Sequence, residues 1–214
     1  MIRAASPRRI PTAVAAIATA FALTALAPVH AQSPRADPRA MTVIGNDSNA
    51  RRCHANVTAG DISDDTVAAC TRALGYSRIT REGQIQVLVN RGVTYLRRQQ
   101  NDLAVADFDA VVALDRGHAE AHLNRGAALV QLQRYGPAIA ALTEALGLGV
   151  REPHKAYFNR GIARESLGDL RGAYEDYSTA LQIEPDWGPA SVELARFARA
   201  RQAHLANVLD EPNP

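Results

Sequence analysis

Lysine is almost missing from this chain: Lys155 is the only one among 24 basic side chains, and arginine supplies the rest. Cysteine is nearly as scarce. Cys53 and Cys70 stand alone, and with no Cys-x-x-Cys spacing the common thiol redox motif is excluded. No stretch alternates apolar and polar residues over a useful length, so half-buried strands are not expected. Catalytic signatures are missing too. No serine, histidine and acid set has motif support, and no glycine-rich loop is placed to cradle phosphate. His118 and His122 stand four apart, but the acid between them, Glu120, does not directly follow the first histidine as the zinc-protease pattern requires. They read as a packed or solvated pair rather than as metal ligands. Nothing here asks for a cofactor or a metal. The chain reads as a non-enzyme, because a fold without a site supplies no chemistry.

What is present begins with an N-terminal export pattern. Arg3, Arg8 and Arg9 precede an alanine-rich apolar stretch from Ala13 to Leu26, and Val29-His30-Ala31 then offers the residues a signal peptidase reads. The apolar stretch is short for a membrane span, and Pro28 follows it closely. Residues 1–31 are therefore expected to be a signal peptide, with an uncleaved anchor as the other reading. Its removal takes three arginines and no acid, leaving 21 basic against 22 acidic side chains, a net of −1. A near-neutral chain gives no electrostatic case for nucleic acid. No stable membrane span is expected after signal removal. Residues 32–50, with Pro34, Pro38, Gly45, Asn46 and Ser48, read as a flexible linker.

The rest is periodic. Asn-Arg-Gly occurs at Asn90-Arg91-Gly92, Asn124-Arg125-Gly126 and Asn159-Arg160-Gly161, at spacings of 34 and 35 residues. Ala104, Ala138 and Ala173 follow the glycines by twelve residues, and Phe108, Leu142 and Tyr177 come four later. Each unit reads as two helices: Leu88, Gly92, Tyr95 and Leu96 make one stripe, and Ala104, Phe108, Val111 and Val112 the other. The chain turns between them at Gln99–Asp102, Gln133–Gly136 and Leu167–Asp169. Glycine on the first helix admits the bulky residue of the second. One such hairpin cannot bury its apolar face alone, so successive hairpins must stack. Arg91, Arg125 and Arg160 read as an anion ladder or as inter-helix ion pairs. Asp107 and Asp176 are natural partners for two of them, while Ala141 leaves Arg125 to find another.

These columns resemble the tetratricopeptide repeat family, with its glycine column, its alanine opening the second helix, the large residue four positions on and a terminal proline, kept here only as Pro185. The resemblance covers Ile85 to Trp187 and implies an all-α, right-handed superhelical array of helix-turn-helix hairpins. The expected organisation is a degenerate cysteine-containing half repeat at 51–84, full repeats at 85–118, 119–153 and 154–187, a capping helix at 188–208 and a disordered tail at 209–214. The extra residue near Glu152-Pro153 is expected to loosen stacking between repeats two and three. The head of the array, with Cys53 and then Ala68-Ala69-Cys70-Thr71-Arg72-Ala73-Leu74, is similar to that of many exported bacterial members, which implies a periplasmic home. In an oxidising compartment Cys53 and Cys70 are expected to pair, the other reading being two buried thiols.

In the family the first helices line the concave surface. The residues expected there are Val89, Asn90, Val93 and Leu96; Leu123, Asn124, Ala127 and Val130; and Lys155, Phe158, Asn159 and Ile162. This is an apolar trough with a row of amides, each able to donate to and accept from a peptide backbone. The asparagines read equally well as bonding the neighbouring repeat. The family's clamp for acidic chain ends fits poorly, since Gln86 and Glu120 stand where bases would be needed and only Lys155 is cationic. The function implied is a protein–protein interaction module, an adaptor or assembly factor of the cell envelope whose partner is a protein or peptide segment. The alternatives are a regulatory accessory subunit of a periplasmic enzyme and a self-associating structural protein, so a homo-oligomer stays open.

Overall fold

The computed structural model describes residues 47–210, with side chains as far as Gln202. The expected signal peptide, most of the linker and the last residues of the expected tail lie outside the described residues. Nine helices and no strands occur among the described residues. They are α1 (Ser48–Thr58), α2 (Asp64–Leu74), α3 (Arg81–Arg97), α4 (Asn101–Leu114), α5 (Ala119–Gln131), α6 (Tyr135–Gly147), α7 (Pro153–Ser166), α8 (Leu170–Ile183) and α9 (Gly188–Asp210).

Local chemistry sets several boundaries. Ser63 and Thr80 cap α2 and α3 by accepting from Thr66 N and Gly83 N, each satisfying a backbone donor that a helix start leaves free. His118 does the same for α5 through Nδ1, 3.1 Å from Ala121 N, while Nε2 of His122 lies 3.1 Å from the carbonyl of Arg116. The two histidines are thus committed to a cap and a turn. Among the described residues no group of three or more His, Cys, Asp or Glu side chains is placed to hold a metal.

The stacking rests on the expected contact. Phe108, Leu142 and Tyr177 are fully buried, and a Cβ added to the glycine opposite each would come within 2.8 Å of Phe108, 2.5 Å of Leu142 and 2.7 Å of Tyr177. Burying each large side chain stabilises the array by roughly 1.5–3 kcal/mol. Successive first helices touch (α1 with α3, α3 with α5, α5 with α7), whereas successive second helices do not pack comparably. An array whose first helices crowd together curves with those helices inside, so α3, α5 and α7 form the concave wall.

Three expectations are corrected. The linker does not extend to residue 50: Asp47 accepts from Asn49 N at 2.9 Å and starts α1 at Ser48. The N-terminal element is therefore a complete hairpin rather than a half repeat. Its disulfide, Cys53–Cys70, joins the two helices with Cys70 standing in the column of Phe108. A covalent link takes the place of the glycine-to-bulky contact, and closing this 17-residue separation stabilises by about 3 kcal/mol. Third, the insertion does not loosen the stack. Gly149 adopts φ +74, which glycine accepts without a steric cost, and turns the chain so that Val150 is buried. α5 and α7 contact each other more extensively than α3 and α5 do.

Candidate peptide-binding trough

The concave wall presents the expected residues unequally. Val89, Val93, Leu96, Asn124, Ala127, Val130, Lys155, Phe158, Asn159 and Ile162 are half-buried on α3, α5 and α7. Asn90 and Leu123 are each only 6% exposed. Asn90 accepts from Gln86 Nε2 at 3.3 Å, while its own Nδ2 is buried without a partner among the described residues. The expected row of three amides thus shortens to two. Asn159 Nδ2 donates to the Lys155 carbonyl at 2.9 Å, leaving its oxygen for an incoming donor. The side chain of Asn124 makes no hydrogen bond among the described residues, and its full donor and acceptor set faces the trough.

The charges on the α5 and α7 part of this wall are paired, whereas Glu82 and Arg97 on α3 are exposed and form no ion pair among the described residues. Lys155 Nζ lies 2.6 Å from Glu152, and Arg151 Nε donates to Glu120 at 2.7 Å. Burial raises the Glu120 pKa while the Arg151 hydrogen bond opposes it, and the net result lies below the ordinary glutamate value. Glu120, Arg151 and Glu152, with Leu123 and Val150, line a depression where the connection before α7 meets α5. Lys155 was expected as the lone cation of the trough. The structure neutralises it and adds Arg151, whose partnership follows from the insertion and has no counterpart in the repeat columns.

The arginine ladder turns outward into structure. Arg91 donates to Asp107 at 2.7 and 2.9 Å and to Thr71 at 3.0 Å. Arg160 repeats this with Asp176 at 2.8 and 3.0 Å and with Thr143 at 3.1 Å. Each arginine thus ties its own second helix to that of the preceding hairpin. Arg125, lacking an aspartate at Ala141, donates instead to Asp109 at 2.5 Å. Asp109 occupies the column of Thr71 and Thr143, so the carboxylate has moved from one face of the arginine to the other.

One part of the wall was missed in the sequence. Trp187, the only tryptophan, packs edge-on against Phe158 and His154 with ring centroids 4.9 Å away in both cases. Phe158 in turn lies 5.6 Å from Tyr177. The trough therefore ends at repeat three in an aromatic corner. Nothing in the periodic columns marks it, because Trp187 lies in the turn after α8.

The helix order, the glycine contacts and the periodic ladder all belong to one family, and the comparisons agree. Tetratricopeptide repeat models match residues 119–148 and 154–186. The array is a tetratricopeptide-repeat array. Among curated proteins it is similar to RNA polymerase II-associated protein 3 of Xenopus tropicalis, with 30% identity over 121 residues, which is 56% of this chain and 18% of that protein. The chain thus spans less than a fifth of this relative's length. Among solved structures it is similar to the first tetratricopeptide-repeat domain of Spaghetti (RPAP3) bound to the HSP90 peptide SRMEEVD. There the TM-score is 0.52 and the identity 28%, covering 56% of this chain and 94% of that one. The crystal structure of MamA shares the fold at a TM-score of 0.61 and 24% identity, over 70% of this chain and 84% of that one.

Proposed function

We propose that this chain is a non-catalytic interaction module that holds an extended, largely uncharged peptide segment in the trough of α3, α5 and α7. The observation that carries this reading is the pairing of charge on the α5 and α7 part of the wall, beside Asn124 and Asn159. Lys155 and Arg151 are neutralised by Glu152 and Glu120, so the surface left for a ligand is apolar side chains, the Asn124 and Asn159 amides and the aromatic corner. The similar Spaghetti domain holds SRMEEVD, a peptide with three acids. That supports peptide binding in this array, while the paired charges of α5 and α7 argue for a different class of peptide.

The setting we propose is the cell envelope, most simply the periplasm, after removal of residues 1–31. The export pattern supports this, and so does a Cys53–Cys70 pair of the kind that persists in oxidising compartments. N-terminal sequencing of the protein recovered from the envelope fraction checks it, with Gln32 as the expected first residue.

Affinity capture from envelope extracts tests the trough itself. Wild type and an Asn124→Ala/Asn159→Ala variant of equal helicity are compared as bait. The variant is expected to lose the partners that wild type retains at high salt. Equal recovery of every partner by both proteins removes the trough from the account.

A further inference from the structure

Among the described residues, the seat for a second helix at the C-terminal end of the array is empty. In repeat three, the face of α7 that receives its own second helix is marked by Arg160, bonded to Asp176, and by Arg164, bonded to the Gly172 carbonyl at 3.2 Å. One repeat later, 34 residues on, those positions are Leu194 and Ala198 on α9. No second helix follows α9 among the described residues. A groove remains between α8 and α9, lined by Tyr174, Leu194, Phe197, Ala198, Arg201 and Gln202. The column of Tyr174 shows what is missing. Val105, its counterpart in repeat one, is 8% exposed beneath the following hairpin, whereas Tyr174 is 50% exposed. Val192 also stands open on this helix.

We propose that this seat is filled by α9 of a second copy, each copy covering the open α9 face of the other. Three observations select that occupant. A second helix runs antiparallel to the first in every hairpin, and two α9 helices related by a two-fold axis perpendicular to them are also antiparallel, so one contact fills both seats. α9 has 23 residues where the second helices α4, α6 and α8 have 14, 13 and 14, so it extends about 13 Å further than α8. The charges at this end are balanced as well. Among the described residues Arg171, Arg199 and Arg201 form no ion pair, and neither do Glu175, Glu184 and Asp186; all six are exposed. Equal numbers of free cations and anions suit a surface that pairs with itself, whereas a strongly acidic or basic partner would leave one set opposed by like charge.

The contact is separate from the trough, so the failure of one reading leaves the other standing. Sedimentation equilibrium of the full chain with its disulfide intact, over a range of concentrations, tests it. Wild type is expected to approach the mass of two copies. Ala198→Glu and Tyr174→Glu change residues exposed in the single copy, so helicity by circular dichroism should be unchanged. Each places a charge in the paired seat and should raise the dimer dissociation constant by more than about tenfold. A single-copy mass at every concentration overturns the proposal, and so does a dimer that both variants leave intact.

Discussion

At the scale of single residues, the array depends on a few contacts that leave no slack. Gly126 faces Leu142 so closely that an added Cβ would sit 2.5 Å from its Cγ. That carbon is the branch point of the side chain, so it cannot swing aside without moving the helix. Gly126→Ala gains about 1 kcal/mol of helix propensity but overpacks the hairpin by roughly 1–3 kcal/mol. Net destabilisation is expected, read as a lower midpoint in urea. The arginine ladder makes a graded prediction. Asp176 is buried between Arg160 and Arg164, at 2.8 and 3.1 Å. Asp176→Ala removes the carboxylate partner of Arg160, leaves Arg164 only Asp169 at 3.8 Å as an ion-pair partner, and should cost about 3–5 kcal/mol. Arg125 and Asp109 are more exposed, so Arg125→Ala should cost no more than about 1 kcal/mol. Equal losses in the same chemical denaturation would show that the two pairs do not differ as their burial implies.

At the scale of elements, the turns inside the hairpins carry uneven strain. Gln99, Gln133 and Gly168 occupy one column, with φ of 60, 57 and 85 degrees. This left-handed conformation suits glycine and costs other residues roughly 1–2 kcal/mol. Gln99→Gly and Gln133→Gly should each raise the thermal midpoint, and Gly168→Gln should lower it. The N-terminal hairpin relies on its staple. α1 buries only Ala50 and Cys53, too little to hold it against solvent. Reduction of Cys53–Cys70 should remove about 3 kcal/mol, with faster amide exchange concentrated in α1 and α2. That sparse burial also explains why α1 escapes a reading of the sequence. Its stretch is polar, and a helix held by two small residues leaves no stripe to find. The three repeats are legible for the opposite reason. Each glycine, alanine and large residue performs one packing task that recurs at the repeat length. The burial of Asn90 and the pairing of Lys155 are not legible, because each is decided by a neighbouring residue outside its own column, Gln86 and Glu152 respectively. Trp187 is hidden similarly, since a turn residue shows its importance only once Phe158 and His154 are beside it.

At the scale of the whole molecule, the array separates two surfaces with different chemistry. Its concave wall is apolar and amide-bearing, with Lys155 and Arg151 held in internal pairs. At its C-terminal end, among the described residues, α9 carries no following second helix and leaves Tyr174 and Val192 exposed. The arginines, for all their number, serve mainly to hold helices together.

The central claim is that the trough receives an extended neutral peptide between Asn124, Asn159 and the aromatic corner, and the single tryptophan reports on that place directly. Titration of neutral and acidic peptides into the full chain, followed by Trp187 emission at low and high salt, is the deciding measurement. Neutral peptides should shift the emission saturably, with an affinity that salt leaves nearly unchanged, and Asn124→Ala/Asn159→Ala should abolish the shift. Binding confined to acidic peptides and weakened steeply by salt, or binding that the double variant leaves intact, would contradict the account.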